Sequence, residues 1–234
     1  MPEATVVATD WTLSEGLFTE PRLAAAGLRH GMTGAALGDM TEPERRAALA
    51  GRLGIPSLLA LRQVHGTTVE RACTRKDLSE ADGWVSTKAG LGVGVFAADC
   101  LPLLFWTDDG KTVGAFHAGW RGLADGMAES ALKALADAGA PAARLNAAVG
   151  PHIGSCCYEV GAELEARFSP GRFSRRVGKL FLDLGADARA RLEAAGLAPE
   201  RVSVSARCTA CSDEFFSWRR DRVRRSMMAF VVPA

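Results

Sequence analysis

The sequence predicts an α+β fold: a single domain spanning residues 1–234, with a mixed β-sheet core covered by helices and a metal site at the strand ends. Three observations lead there. Short apolar runs of strand length recur along the chain and are closed by glycine, proline or aspartate. Segments with helical spacing fall between them, and the two kinds follow each other without a regular βαβ rhythm. With 234 residues, 48% hydrophobic and 24% charged, the chain can bury a sizeable core and has an ordinary globular composition.

Taken in order, Thr41-Glu42-Pro43-Glu44 is a capping box with proline just inside the helix start, which predicts a helix to about Leu53. Ser57 to Val64 and Thr67 to Ala72 read as paired strands around a His65-Gly66 turn. Leu91 to Phe116 divides into a strand, a turn bearing Pro102, a second strand, a hairpin signal at Asp108-Asp109-Gly110 and a third strand. Gly119-Trp120-Arg121-Gly122 opens a helix that places Leu123, Met127, Ala131, Leu132 and Leu135 on one face and ends near Gly139. Ala147 to Val149 is a short strand feeding the loop Gly150-Pro151-His152-Ile153-Gly154. Glu159 to Phe168 and Asp187 to Ala195 read as helices, the second closed by Gly196. Val202 to Ala206 alternates as a strand, and Asp213 to Met227 reads as a C-terminal helix.

A net charge of +1 offers no global field for nucleic acid or an anionic membrane surface. Met1 to Gly16 has neither a basic nor an apolar leader segment, and the longest apolar stretch, Leu91 to Trp106, is broken by Asp99 and Pro102. The expectation is a cytoplasmic protein with no membrane partner, its six cysteines present as thiols or thiolate ligands rather than disulfides.

The residues that carry chemistry lie at the ends of three apolar runs. Leu58 to Val64 leads into His65, Leu91 to Ala98 into Asp99-Cys100, and Val113 to Phe116 into His117. Two imidazoles and a thiolate at three strand mouths form a three-ligand metal site with one position open, the pattern of catalytic zinc. Neutral imidazole and thiolate suit zinc best, with copper as competitor. Asp99 is placed to orient a ligand or a bound water. Arg121, four residues after His117 at a helix start, offers a guanidinium beside backbone amides for an anion, and Arg29 offers another beside the His30-Gly31 turn. His30 itself reads as a turn residue. The same three residues also fit a metal-free hydrolase in which His65 or His117 activates a nucleophilic Cys100, although two histidines on one thiolate better suit chelation.

Cys208-Thr209-Ala210-Cys211 suggests a redox pair or half a zinc ribbon, but its partner pair would be the adjacent Cys156 and Cys157, whose geometry is poor for joint chelation. These four are therefore expected to be structural. Arg219, Arg220, Arg222, Arg224 and Arg225 follow Phe215, Phe216 and Trp218, a sequence that would suit a nucleic-acid binding module. With net charge near zero, a solvated face or a phosphate contact is the expectation, with no nucleic acid bound.

Leu61-Arg62-Gln63-Val64-His65-Gly66, Ala97-Ala98-Asp99-Cys100-Leu101-Pro102, His117-Ala118-Gly119-Trp120-Arg121-Gly122, and Gly150-Pro151-His152-Ile153-Gly154 followed by Cys156-Cys157-Tyr158-Glu159-Val160-Gly161 occur in order. Together they resemble the bacterial YfiH-type laccase-domain proteins, also called the multicopper polyphenol oxidase or purine nucleoside phosphorylase family. Phe215-Phe216-Ser217-Trp218-Arg219-Arg220-Asp221 adds a lesser echo. The resemblance implies one metal site on His65, Cys100 and His117, phosphorolysis of adenosine, inosine and methylthioadenosine, and hydrolytic deamination of adenosine. Purine nucleosides and phosphate are then the partners, in a monomer or homodimer, with Arg29 and Arg121 holding phosphate and Asp99 orienting the nucleophile. Two segments depart from the family pattern: the one after Arg29-His30-Gly31 is short, and Val223-Arg224-Arg225 stands where Thr-Gly-Arg is usual. The family's older name implies copper-dependent phenol oxidation, but a multicopper centre needs on the order of ten imidazoles and this chain has four.

Overall fold

The computed structural model describes residues 11–72 and 77–234. Cys73 and most of the segment Met1 to Gly16 lie outside the described residues. In chain order the strands are β1 (Thr12–Ser14), β2 (Leu17–Thr19), β3 (His30–Thr33), β4 (Ser57–Leu59), β5 (Leu61–Arg62), β6 (Val69–Arg71), β7 (Ser79–Glu80), β8 (Gly83–Ser86) and β9 (Leu91–Ala97). They continue as β10 (Leu101–Thr107), β11 (Val113–Ala118), β12 (Leu145–Val149), β13 (Glu159–Val160), β14 (Phe173–Arg176), β15 (Lys179–Leu182), β16 (Val202–Val204) and β17 (Met227–Val231). The helices are α1 (Pro21–Ala25), α2 (Pro43–Leu53), α3 (Trp120–Ala124), α4 (Met127–Asp137), α5 (Leu184–Ala194) and α6 (Trp218–Asp221). Among the described residues, none is long and apolar enough to cross a membrane.

The α+β class holds, but the core is two six-stranded sheets rather than one. The first runs β1-β2-β3-β17-β9-β4 and the second β16-β12-β10-β11-β8-β6. Both are mixed, because β4 with β9, β6 with β8 and β12 with β16 pair in parallel. The sheets face each other through Val93, Val95, Met227, Ala229 and Val231 on one side and Trp84, Leu104, Trp106 and Ala115 on the other. Outside the first sheet, Leu58 and Phe230 pack with Leu49 and Ala50 of α2. Outside the second, Leu103, Phe105 and Phe116 pack with Leu123, Met127, Ala131 and Leu135 of α3 and α4 and with Ala188 and Leu192 of α5. Helix, sheet, sheet, helix is therefore the layer order. It explains why all seven residues of β10 are buried and why its sequence is apolar without alternation: both of its faces are covered.

Four elements differ from the sequence expectations. Residues 57–62 and 69–71 do not pair with each other: β4 joins β9 of the first sheet and β6 joins β8 of the second, so the chain crosses between sheets at His65-Gly66. The helix expected from Gly119 to Gly139 breaks at Gly126, where φ is 98°, and is closed by Gly139 at φ 86°. Glu159 to Phe168 is a short strand paired with β15 and a single 3-10 turn at Ala162–Leu164, because Gly161 interrupts any helix there. Asp213 to Met227 is helical only at α6, which Arg222 ends at φ 55°, and Met227 opens the central strand β17, whose apolar run gains more from burial between two layers than from a helix face. The capping box also slips by one residue. Glu42 is the N-cap of α2 and makes no side-chain cap bond, while Asp39 Oδ1 accepts from Thr41 N at 3.0 Å.

Candidate metal centre

The strand register assembles the site. β10 and β11 pair Pro102 with His117 and Leu101 with Ala118, which brings the residue before β10, Cys100, to the end of the sheet where His117 lies. β11 meets β8 at Phe116 and Gly83, and His117 N donates to the Asp82 carbonyl at 2.7 Å. β8 meets β6 at Gly83 and Val69, and Asp82 N donates to the Thr68 carbonyl at 2.9 Å. The His65-Gly66 turn, just before β6, falls at that same end. One ligand atom from each of His65, Cys100 and His117 lies within 4.8 Å of the others, and the two imidazole rings meet at 71°.

Asp82 is the residue that sequence reasoning missed. Its side chain is fully buried. Oδ1 accepts from His117 Nδ1 at 2.8 Å and from His65 N at 3.0 Å, while Oδ2 accepts from Gly66 N at 2.8 Å and Val64 N at 3.2 Å. One carboxylate thereby holds His65 at its left-handed φ of 60° and reserves the Nε2 of His117 for the centre of the site. Burial opposes its ionisation, yet the His117 hydrogen bond and the Gly66 and Val64 amides hold its carboxyl below the ordinary range. Its only sequence signal is an aspartate one residue before a buried strand.

The donor set fits a metal ion. Burial would push the Cys100 thiol up, but the charge and hydrogen bond of His117 and the hydrogen bond of His65 bring it down to about 6. Burial would push His117 down, but the Cys100 charge and the Asp82 hydrogen bond bring it up to about 9. Ligation requires both groups without those protons. From about pH 6 to about pH 9 the thiol is already ionised and the imidazole still carries its extra proton, so each ion displaces one proton. Zinc affinity of the metal-free protein is expected to rise about tenfold per pH unit across that window, and more steeply below it, where two protons leave. Competition with a chromophoric chelator across a pH series checks this; a flat profile would refute it.

Gly119 leaves the room the ion needs. A Cβ there would stand 2.8 Å from His65 Nδ1 and 3.3 Å from Cys100 Sγ, although its φ of −67° suits any residue. Gly119→Ala is expected to weaken zinc binding about tenfold or more by overpacking the ligands, measured by the same competition, with circular dichroism unchanged.

The three residues sit in a cleft of about 590 Å³ whose walls include Phe96, Ile153, Trp120, Tyr158 and Trp218. Arg121 lines an adjoining lobe and lies over the Trp120 ring at 4.7 Å. Its helix is five residues long, so the guanidinium and not a helix terminus is what it contributes. The basic run 219–225 does not form one solvated face. Arg219 is tied to the carbonyls of Cys157 and Glu159 at 3.3 and 2.9 Å, Arg220 pairs with Asp221, and Arg225 covers Phe216, whereas Arg224 lines the cleft.

Two other expected site residues are placed differently. Arg29 does not line the cleft: its Nη1 donates to the carbonyls of Leu53 and Gly54 at 3.2 and 3.3 Å, capping α2. Asp99 lines the cleft, but its carboxylate accepts from Thr209 Oγ1 at 2.6 Å, Ser217 Oγ at 3.1 Å and Arg219 N at 2.7 Å. That carboxylate fastens the 209–219 segment to the turn carrying Cys100 and is not free to orient a nucleophile. The other two histidines are structural. His30 is buried in β3, accepting from Glu20 N at 2.9 Å through Nε2, and His152 Nδ1 contacts the Gly150 carbonyl at 2.9 Å. Contrary to expectation, Cys156, Cys157, Cys208 and Cys211 converge, their sulfur atoms lying within 4.8 Å of one another.

Residues 33–233 match the family described as multi-copper polyphenol oxidoreductase laccase. The chain is 36% identical over 199 residues to a protein named purine nucleoside phosphorylase YfiH from Escherichia coli (strain K12), covering 81% of this chain and 79% of that one. It is 31% identical over 198 residues to adenosine deaminase RL5 from an unknown prokaryotic organism, covering 76% of each. The crystal structure of YlmD from Geobacillus stearothermophilus superposes with a TM-score of 0.85 at 28% identity, covering 96% of this chain and 99% of that chain.

Proposed function

The chain belongs to the multi-copper polyphenol oxidoreductase laccase family, alongside YfiH, and from that premise we propose that it is a zinc-dependent purine nucleoside phosphorylase that also deaminates adenosine. Adenosine, inosine and methylthioadenosine are the proposed substrates, with phosphate as the second reactant, and residues 1–234 act as one cytoplasmic catalytic domain. The observation that carries this reading is the meeting of His65, Cys100 and His117 in an aromatic-walled cleft with guanidinium groups at its edge. A cleft of about 590 Å³ accommodates a nucleoside, and aromatic faces such as Trp120, Tyr158 and Trp218 suit a purine ring.

His65, Cys100 and His117 would hold the ion, which when bound supplies Lewis acidity and activates water for attack at C6 of adenine. Asp82 keeps the proton on His117 Nδ1 and so fixes the ring toward the site. Arg121 and Arg224, neither in an ion pair among the described residues, hold phosphate near the ribose. In phosphorolysis a phosphate oxygen bonds to C1′ as the glycosidic bond breaks and the purine leaves with the proton the phosphate gives up, so adenosine and inosine give ribose-1-phosphate and methylthioadenosine its 5-methylthio counterpart.

Incubating the metal-replete protein with adenosine and phosphate is expected to yield adenine, ribose-1-phosphate and inosine; formation of none of them overturns the assignment. Arg121→Ala and Arg224→Ala are expected to raise KM for phosphate about tenfold or more, the loss of one charge-assisted contact, with zinc content unchanged. Arg222→Ala and Arg225→Ala should leave phosphate kinetics near the parent value.

One observation favours a second reading. Asp82, His117 and Cys100 are also arranged as orienting acid, base and nucleophile, so a metal-free cysteine hydrolase or amidase uses the same atoms. Hydrolytic activity that survives complete metal removal and disappears on alkylation of Cys100 would select it. Phenol oxidation at a multicopper centre is disfavoured by ligand supply, since His30 and His152 are committed elsewhere.

A further inference from the structure

We propose that Cys156, Cys157, Cys208 and Cys211 bind a second ion, a zinc held by four thiolates, which clamps together the two loops behind one wall of the cleft. The inference does not depend on the nucleoside reading, because it concerns separate ligands from separate loops; only the KM readout in its test rests on that reading.

Each loop presents its pair of sulfurs through a tight turn. Cys157 N and Tyr158 N both donate to the Gly154 carbonyl at 3.0 Å, which folds the adjacent Cys156 and Cys157 toward one side. Cys211 N donates to the Cys208 carbonyl at 3.2 Å, closing the C-x-x-C turn. Between the loops, Cys211 Sγ lies 3.5 Å from Cys156 Sγ and 3.3 Å from Cys157 Sγ, and all four sulfurs fall within 4.8 Å of one another. Zinc with four sulfurs at about 2.3 Å requires tetrahedral edges of about 3.8 Å. Two of the separations fall just short of that value and none exceeds 4.8 Å, which suits one ion; an iron–sulfur cluster, built around several metals, needs its cysteines farther apart.

At Cys208 the surroundings favour the thiolate. Gly154 N donates to Cys208 Sγ at 3.2 Å, a hydrogen bond that favours the charged sulfur. A Cβ at Gly154 would approach Cys156 Sγ to 3.2 Å and Cys208 Cβ to 3.4 Å, so a small residue keeps the sulfurs together. Four protein ligands leave no open position, which makes the site structural rather than catalytic.

What the clamp holds follows from the neighbours. The first loop carries Ile153 and Tyr158, which line the cleft. The second carries Thr209, which bonds Asp99 beside Cys100. Apart from the sulfurs, the loops are joined near this point by the backbone bridge of His152 and Cys208. Cys156 and Cys211 are exposed, so the sulfur end of each loop has little burial to fix it in place.

The test is elemental analysis of protein purified without oxygen, together with cobalt replacement. The parent protein should carry two zinc ions, and Cys100→Ala should keep one. Cys211→Ser and Cys156→Ser should each lose one ion while keeping the other, and should raise KM for nucleoside more than they lower kcat. In case those serine variants fail to fold, cobalt is loaded into Cys100→Ala with the cluster intact. It should show the visible and near-ultraviolet thiolate absorption of a tetrahedral sulfur site. A Cys100→Ala protein that takes up neither zinc nor cobalt would overturn the proposal, as would mass-spectrometric detection of a disulfide joining Cys211 to Cys156 or Cys157 in the anaerobic preparation.

Discussion

Cys100→Ala and His117→Ala are each expected to lose the ion at the strand-end site and to reduce nucleoside turnover by at least about 10³-fold, since residues that act as one catalytic unit fail together. The same result is expected for His65→Ala. The fold should survive, because a three-ligand site with an open position contributes less to folding than a closed one. The strands that position these residues are held independently by two apolar layers: Leu103 and Phe105 of β10 pack under α4 and α5, and Leu104 and Trp106 pack against the first sheet. Zinc content, turnover and thermal unfolding measured on one preparation check all three statements. A variant that lacks the ion yet turns over nucleoside at the parent rate would remove the metal from the reaction.

Asp82→Ala is expected to be the most destabilising single change at the site. It leaves the amides of Val64, His65 and Gly66 and the Nδ1 of His117 without their acceptor, and the carboxylate they share is 0% exposed. An unsatisfied buried group costs about 1–3 kcal/mol. Water can reach part of the exposed His65 turn, so a total of about 3 kcal/mol is expected, lowering Tm by about 10 °C for a chain of this size. Zinc affinity should fall about 10- to 100-fold as His117 loses its orienting partner. Asp82→Asn separates the two effects. Its oxygen can still accept from His117 or from the amides, but its NH2 group faces donors, so affinity should fall with a smaller change in Tm. Unaltered zinc affinity in both variants would show that Asp82 serves the fold alone.

Much of the site was legible in the sequence because its ligands sit where apolar runs stop. Cys100 precedes Leu101-Pro102, and His117 ends Val113 to Phe116, so strand ends and chemistry coincide in a local pattern. Asp82 escaped because an aspartate before a strand is an ordinary turn residue until the turn whose amides donate to it arrives from 16 to 18 residues away. Arg29 was misplaced for the converse reason: a guanidinium beside a glycine turn is a local feature, and which carbonyls it meets depends on where α2 ends in space. The vicinal Cys156 and Cys157 looked unsuited to share a centre because side chains of neighbouring residues usually diverge, and only the turn at Gly154 folds them together.

By itself the sequence determined the α+β class, the three strands between Leu91 and Phe116, the apolar face from Leu123 to Leu135 that covers the second sheet, and the identity of the residues at the strand mouths. Periodicity, turn chemistry and donor type are properties of a few consecutive residues, and they survive being read in one dimension. Tertiary structure alone decided that there are two sheets, that the chain changes sheets at His65, that Met227 to Val231 is a central strand rather than the end of a helix, and that four cysteines meet. Those outcomes depend on which apolar faces find each other across long separations. That choice is made by the burial of the whole core, and no local stretch of residues encodes it.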